Sequence, residues 1–192
     1  MKPRLIVGIS GSSGIIYGIR LLEILNTLEI EAHLVMTKPS QLTRIYETEK
    51  TFAEIKALAH VYYANSDIKA PIASGSYKTL GMVIAPCSMK TVAEIAHGLS
   101  SNLLTRAADV VLKERRRLVL MPRESPLHLG HLHNLTAITQ MGGIICPPVA
   151  AFYTKPQTID DLVNETLGRV LDLFDFETGL VKRWGEKDGS KC

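Results

Sequence analysis

The sequence predicts an α/β fold built on a mostly parallel sheet with helices on both faces. Short apolar runs, typical of strands buried on both sides, alternate along the chain with longer segments whose apolar residues recur at helical spacing. Polar turns follow three of the apolar runs, at 10–14, 87–91 and 122–125. Such alternation favours a three-layer Rossmann-like (flavodoxin-like) architecture, in which ligands bind at the carboxyl ends of the strands.

Composition is that of an ordinary globular protein, with 192 residues, 46% of them apolar and 21% charged. We expect a single domain over residues 1–185 and a flexible polar tail over 186–192. The net charge of +3 gives no strong indication of nucleic-acid binding. Three cysteines lie far apart without CxxC spacing, which disfavours a disulfide framework or a zinc site and favours the reducing cytoplasm. Neither a signal peptide nor a membrane span is expected.

The first half of the chain opens with a buried strand that ends at a turn rich in glycine and serine. The apolar run Leu5–Ile9 predicts the strand, and apolar residues at helical spacing predict a helix over 14–28. The pattern then predicts a strand at 31–36, helices at 41–49 and 52–60, a short strand at 61–63 and a loop at 65–79. Ser40 is the candidate N-cap of the helix at 41–49.

The second half repeats the alternation. Residues 80–85 read as a strand that Pro86 ends, and a helix begins at the polar turn 87–91. Further helices are predicted at 102–113, 129–141 and 158–174, and further strands at 118–121 and 144–146.

The first turn has a spacing that leaves two interpretations open. Gly8, Gly11 and Gly14 recur every third residue, which is not the dinucleotide fingerprint, and no Walker Lys-Ser/Thr pair follows. Backbone N–H groups at a helix N-terminus favour an anion, and the serines add donors. A phosphate cradle and a plain tight turn are about equally compatible with this pattern.

Cationic side chains and a tyrosine in the second half form a candidate phosphate site. If they gathered at one strand-end cleft, arginine forks, a lysine and a neutral tyrosine hydroxyl would suit a dianion. The alternative is that they are exposed charges at helix ends, which we favour for Arg115, Arg116 and Arg117. The pattern leaves both interpretations open for Arg123 and Arg169. The candidates are Arg106, Lys113, Arg123, Tyr153 and Arg169.

Other reactive side chains have simpler explanations. His128, His131 and His133 match neither a zinc motif nor H-E-x-x-H, so we expect ordinary histidines at the start of a helix. Cys87 precedes a helix but has no partner base in the sequence, so we expect a small buried residue. No Asp-rich cluster or other recognisable magnesium site is present in the sequence, and no metal is expected.

Several blocks, in order over nearly the whole chain, resemble the UbiX-type flavin prenyltransferases, formerly described as phenylacrylic acid or 3-octaprenyl-4-hydroxybenzoate decarboxylases. The first is Gly-Ser-Ser-Gly after the first strand. The others are A-P-C-S-M-K-T at 85–91, L-T-R-A-A-D-V-V-L-K-E-R-R at 104–116, L-V-L-M-P-R-E-S-P-L at 118–127, P-V-A-A-F-Y at 148–153 and Arg183-Trp184-Gly185. The blocks at 104–116 and 118–127 are the most specific.

The resemblance implies a reaction and partners. Such proteins join a dimethylallyl group from dimethylallyl monophosphate to N5 and C6 of reduced FMN without a metal. They pass the prenylated FMN to a UbiD-type decarboxylase in aromatic acid decarboxylation, and they commonly form homododecamers with sites at subunit contacts.

The resemblance also implies roles for individual residues. Arg106 and Trp184 are further candidates beside three groups of site residues. FMN would be lined by Gly11, Ser12, Ser13, Thr37, Ser88, Met89, Lys90, Thr91 and Arg123. The prenyl phosphate would be held by Lys113, Arg123, Tyr153 and Arg169. Protons would be managed by Ser13, Glu47 and Glu124.

Two departures from the family pattern are small. The first turn is Gly-Ser-Ser-Gly where Gly-Ala-Ser-Gly is usual, so Ser12 adds a hydroxyl. Thr37 replaces the more usual serine and keeps a hydroxyl.

Two alternative functions share the predicted fold. The first is an FMN-dependent cysteine decarboxylase of the phosphopantothenoylcysteine type, whose second turn resembles Pro-Ala-Ser-Ala-Asn-Thr. The turn at 86–91 here lacks the Asn, which disfavours this reading. The second is a non-catalytic flavin carrier that activates a decarboxylase.

Overall fold

Six strands form one sheet in the computed structural model, which describes residues 2–183 and residue 185. The strand order is β3-β2-β1-β4-β5-β6, and every pairing is parallel. This order confirms the predicted Rossmann-like sheet and places its switch point between β1 and β4, where ligands bind in such folds. The strands are β1 (Arg4–Ile9), β2 (Glu31–Met36), β3 (Val61–Ala64), β4 (Gly81–Cys87), β5 (Arg117–Pro122) and β6 (Ile144–Ile145).

Helices cover both faces of this sheet, as predicted. The helix α1 packs closely on one face, where a Cβ at Gly18 would lie 2.4 Å from the carbonyl oxygen of Ala85. The opposite face of β1, β4 and β5 forms a buried core with α4 and α5, in which Ile84 and Leu120 meet Leu104 and Ala108. The helices are α1 (Ile15–Thr27), α2 (Lys38–Glu47), α3 (Phe52–Ala57), α4 (Met89–Ala96), α5 (Leu103–Lys113) and α6 (Leu129–Gln140).

Local chemistry moves some element boundaries away from the predicted ones. The N-cap of α2 is Thr37, whose hydroxyl accepts from the backbone N–H of Ser40, so the expectation that Ser40 caps this helix is wrong. Pro39 is the second residue of this helix. Proline is tolerated there because a backbone N–H at that position would have no partner within the helix. The strand β4 continues through Pro86 to Cys87 and does not end at the proline.

Contacts within the chain divide it into two compact units, Met1–Pro148 and Val149–Cys192. In the second unit a 3₁₀ turn (Phe152–Thr154) precedes the helix α7 (Ile159–Asp172). The start of α7 is a capping box in which Thr158 and Asp161 satisfy each other's backbone N–H groups. The single domain over 1–185 stays a prediction, and Trp184 and the tail at 186–192 lie outside the described residues.

Candidate active site

The polar turns after β1, β4 and β5 are joined by hydrogen bonds at the carboxyl edge of the sheet. The hydroxyl of Ser10 donates to the carbonyl oxygen of Pro86 at 3.0 Å and accepts from the backbone N–H of Ser88 at 2.7 Å. The backbone N–H of Arg123 donates to the carbonyl oxygen of Cys87 at 3.2 Å. The three turns therefore form one continuous polar surface, as expected for parallel strands.

The first turn also lies against the start of α2. The backbone N–H of Thr37 donates to the carbonyl oxygen of Ile9 at 3.0 Å. A Cβ added at Gly11 would lie 2.3 Å from Cβ of Pro39, so this close approach requires glycine. A cavity of about 610 Å³ opens beside Thr37, with Asn65 and Tyr62 among its lining residues. Gly11 and Thr37, two of the predicted FMN contacts, therefore lie at the same carboxyl edge of the sheet.

The N-terminus of α1 holds an anion from the protein itself. One carboxylate oxygen of Glu47 accepts from the backbone N–H of Gly14 at 2.8 Å and from that of Ile15 at 3.0 Å. Beside it, Nε of Arg123 donates to the carbonyl oxygen of Ser13 at 3.4 Å. Glu47, Ser13 and Arg123, all predicted site residues, therefore meet at this turn.

The N-terminus of α4 offers further donors. Ser88 caps this helix, and its hydroxyl lies 3.1 Å from that of Thr91. The N–H groups of Met89 and Lys90 have no partner within the helix, as in any first turn. Within the described part of the chain, the buried hydroxyl oxygen of Ser12 has no hydrogen-bond partner. The unsatisfied hydroxyl of Ser12 in the first turn and the N–H donors at the start of α4 each fit a polar, anionic group such as the phosphate-bearing chain of FMN.

Glu124 follows Arg123 in the loop after β5. One of its carboxylate oxygens accepts from the backbone N–H of Ser125 at 3.1 Å, and the residue is exposed. An exposed carboxylate at the carboxyl edge can exchange protons with a bound molecule.

Lys113 lies at the other edge of the sheet. It ends α5, just before β5, whereas Arg123 follows the end of β5. The strand has six residues, so it separates the two edges by about 20 Å. Lys113 forms an ion pair with Glu114, and Arg106, about two turns earlier in the same helix, pairs with Asp109 at 2.7 Å. The cations of the first unit therefore do not converge within one chain.

Of the three arginines after α5, Arg115 and Arg117 are exposed as expected, whereas Arg116 is not. The helix ends at Lys113, and Arg117 is the first residue of β5. The guanidinium of Arg116 is only 17% exposed and donates to the carbonyl oxygens of Gly75 at 2.7 Å and Tyr77 at 2.8 Å. Arg116 thus holds the loop before β4, because a fork of N–H donors can satisfy several carbonyls at once.

The remaining predicted phosphate ligands belong to the second unit. The hydroxyl of Tyr153 donates to the carbonyl oxygen of Lys182 at 3.3 Å. The guanidinium of Arg169 donates to a carboxylate oxygen of Asp172 at 2.6 Å. Sequence reasoning missed Asp172, and it missed the part of Ser10 in joining the turns, because neither residue stands out by type or spacing.

Cys87 and His128 behave as the sequence predicts. Cys87 is fully buried, and burial raises the pKa of its thiol far above the usual range. His128 caps α6, and its Nδ1 accepts from the backbone N–H of His131.

The described residues contain no group of three or more His, Cys, Asp or Glu side chains placed to hold a metal ion. None of the described helices is long and apolar enough to cross a membrane.

Comparison with known proteins places this geometry in a family. The family model described as Flavoprotein matches residues 1–171. Flavin prenyltransferase UbiX of Neisseria meningitidis serogroup B is 52% identical over 184 residues, which cover 96% of this chain and 97% of that protein. The chain belongs to the UbiX flavin prenyltransferase family. The resemblance noted from the sequence blocks is confirmed.

Solved UbiX structures have the same fold. The crystal structure of AnUbiX (PadA1) in complex with FMN and dimethylallyl pyrophosphate has a TM-score of 0.95 and 45% identity, covering 98% of this chain and all (100%) of that chain. A dodecameric FMN-dependent UbiX-like decarboxylase from Escherichia coli O157:H7 has a TM-score of 0.93 and 45% identity, covering 95% of this chain and 100% of that chain.

Proposed function

We propose that this chain is a flavin prenyltransferase that joins the dimethylallyl group of dimethylallyl monophosphate to N5 and C6 of reduced FMN. Membership of the UbiX family carries this proposal, supported by the 52% identity with a flavin prenyltransferase over nearly the full length. A related structure contains both FMN and a dimethylallyl donor. The polar edge formed by the turns at Ser10, Ser88 and Arg123 supports a flavin site there.

The FMN site is assigned to the turns at the carboxyl edge. The N–H donors at the start of α4 and the buried hydroxyl of Ser12 support binding of the ribityl phosphate chain. When bound, reduced FMN supplies the two nucleophilic positions of its ring system. Arg123 adds a positive charge to the same edge. The assigned residues are Gly11, Ser12, Ser13, Thr37, Ser88, Met89, Lys90, Thr91 and Arg123.

The donor site neutralises the departing phosphate with protein side chains. An allylic phosphate leaves readily when fixed positive charges and donors meet its developing charge in a site that excludes water. Lys113, Arg123, Tyr153 and Arg169 are assigned this task. In one chain Lys113 precedes β5 and Arg123 follows it, so the two residues lie at opposite edges of the sheet. We therefore assign the Lys113 of each site to a neighbouring copy. The dodecameric relative supports such an assembly.

Proton transfer is assigned to Glu47, Glu124 and Ser13. The carboxylate of Glu47 already lies at the first turn, 2.8 Å from the backbone N–H of Gly14. Glu124 follows Arg123 directly and is exposed at the same edge. A carboxylate beside the phosphate can give or take the proton that bond formation at the flavin requires. The prenylated FMN then passes to a UbiD-type decarboxylase, and we place the reaction in the cytoplasm.

Mass spectrometry of the product tests the reaction. The purified protein is incubated anaerobically with reduced FMN and either dimethylallyl monophosphate or the diphosphate. We expect a flavin whose mass has increased by one C5H8 unit with the monophosphate. If neither donor gives this product, the proposed transfer is wrong.

A second experiment separates a transferase from a flavin carrier. Glu124→Gln keeps the shape of the side chain but removes its acid–base function. A transferase loses activation of the partner decarboxylase while FMN stays bound, whereas a carrier keeps it. Release of carbon dioxide from a cysteine-terminated substrate would instead support the cysteine decarboxylase.

A further inference from the structure

Asp172, the last residue of α7, connects two arginines. Its Oδ2 accepts from the guanidinium of Arg169 at 2.6 Å and from that of Arg183 at 3.0 Å. Its Oδ1 accepts a second hydrogen bond from Arg183, also at 3.0 Å. One carboxylate thus receives a two-pronged contact from Arg183 and a single contact from Arg169.

Burial distinguishes the inner and outer ends of this network. The side chain of Asp172 is 15% exposed and that of Arg183 is 31% exposed, whereas that of Arg169 is 60% exposed. The contact with Asp172 raises the pKa of Arg183 above its usual range, so the Arg183 guanidinium stays charged. The inner pair is therefore a fixed support, and Arg169 is the end that solvent reaches.

The backbone around the network is also anchored. Residues 178–183 run alongside α7, where a Cβ at Gly168 would lie 2.5 Å from Cγ2 of Val181. The backbone N–H of Lys182 donates to the partly satisfied, buried carboxylate of Glu165 at 3.1 Å. Arg183, the next residue, is therefore delivered to Asp172 by a segment that is itself held against α7.

We propose that Asp172 is a positioning residue for the prenyl donor. It holds Arg169 through one nitrogen of the guanidinium, which leaves the other N–H donors of Arg169 for the donor phosphate. The proposal rests on the assignment of Arg169 to the donor phosphate under the proposed function.

An arginine held in one orientation binds a phosphate better than a mobile one, because less side-chain entropy is lost on binding. Asp172→Asn weakens the hold on both arginines while preserving the size of the side chain. We expect it to raise KM for dimethylallyl monophosphate about tenfold, which is roughly 1.4 kcal/mol of donor binding. The Kd for FMN should change less than about twofold, since FMN is assigned to the other unit.

Initial rates of prenylated FMN formation, measured anaerobically over a range of donor concentrations, give KM and kcat separately. Asp160→Asn is the matched control, because it removes the same charge from the exposed first turn of the same helix. Arg183→Lys is the second variant, which keeps the positive charge but cannot make the two-pronged guanidinium contact with Asp172. We expect an unchanged KM for the control and a rise of about threefold for Arg183→Lys.

A double-mutant cycle with Arg169→Met decides whether Asp172 acts through Arg169. In that background Asp172→Asn should change KM by less than about twofold. An equal rise in both backgrounds would overturn the proposal, as would an unchanged KM in Asp172→Asn alone. If Arg169→Met itself leaves KM unchanged, the role of Asp172 falls with that of Arg169 while the prenyl transfer stands. Absence of product with the wild-type protein would instead reject the transfer. If Asp172→Asn fails to fold, Arg183→Lys carries the same cycle.

Discussion

The carboxylate of Glu47 is bonded to the backbone N–H of Gly14, 33 residues earlier in the chain, at 2.8 Å. Glu47 ends α2, where the negative end of its own helix disfavours it. The N-terminus of α1 compensates, because its exposed N–H groups favour an anion. The contact fixes the end of α2 to the turn that we assign to FMN.

Glu47→Gln should lower the free energy of unfolding by about 1 kcal/mol, because charge-assisted hydrogen bonds to Gly14 and Ile15 become neutral ones. Urea denaturation monitored by circular dichroism measures this change. The variant should also form prenylated FMN more slowly, since the proton-transfer group is lost. Glu49→Gln removes the same charge two residues away and should change stability by less than about 0.5 kcal/mol. Equal losses in both variants would contradict the specific contact.

Ser10 and Ser12 should respond differently to replacement by alanine. Ser10→Ala removes the hydroxyl that bonds Pro86 and Ser88, so we expect a loss of about 1–3 kcal/mol in unfolding free energy. Ser12→Ala removes a buried hydroxyl that has no partner among the described residues, so stability should stay level or rise slightly. FMN affinity should fall about three- to tenfold in Ser12→Ala, as for one lost hydrogen bond.

Quenching of flavin fluorescence measures the affinity, and urea denaturation measures the stability of the same two serine variants. Loss of stability without loss of FMN affinity in Ser12→Ala would mean that its hydroxyl serves the fold and does not face the flavin.

Stability should fall on acidification because His33 is buried. Burial first, and the charge of Arg4 next, lower the pKa of His33 to about 4, from an ordinary value near 6.5. Between about pH 4 and pH 6.5, His33 is therefore protonated in the unfolded chain but neutral in the folded chain. The stabilising contribution is complete above about pH 6.5 and is lost as the pH falls toward 4.

We expect the unfolding free energy to drop by about 1–2 kcal/mol between pH 7 and pH 5 through His33. Urea denaturation at both pH values measures it. His33→Asn should flatten the pH dependence, whereas His133→Gln, at an exposed position, should leave it unchanged. The carboxylate of Glu31, whose pKa is lowered chiefly by a hydrogen bond from Arg4, contributes in the same direction only at lower pH. An unchanged slope in His33→Asn would assign the effect to other groups.

Arg116→Ala should destabilise the chain by about 2 kcal/mol, because the carbonyl oxygens of Gly75 and Tyr77 lose a charged donor. Arg115→Ala is the matched control. Arg115 is exposed, and its left-handed backbone (φ 57°) disfavours any residue with a Cβ, arginine and alanine alike, so the expected change is below about 0.5 kcal/mol. Thermal unfolding followed by circular dichroism compares the two. Similar melting temperatures would show that Arg116 is not needed to hold the loop.

Much of the fold follows from the sequence because strands buried on both faces leave a clear apolar signal. The strand at 31–36 has the predicted bounds, and the turns at Ser10, Ser88 and Arg123 lie together because parallel strands end at one edge. The cap at Thr37 was missed, since two hydroxyl residues, Thr37 and Ser40, stand close together and only backbone geometry chooses between them.

The grouping of the cations could not be read from the sequence. Lys113 and Arg123 are ten residues apart in the sequence, yet the strand β5 between them places them at opposite edges of the sheet. Arg116 looked like an exposed charge, because no local pattern reveals the loop carbonyls that it binds from 39 and 41 residues away. Contacts that depend on distant parts of the chain leave no periodic signal.

Lys113 and Arg123 lie at opposite ends of β5, so under the proposed assembly each active site takes its lysine and its arginine from two neighbouring copies. Two inactive variants, Lys113→Ala and Arg123→Ala, would then regain activity when they are unfolded together and refolded as a mixture. Some junctions in the mixture would pair an intact lysine with an intact arginine, whereas neither pure preparation has such a junction.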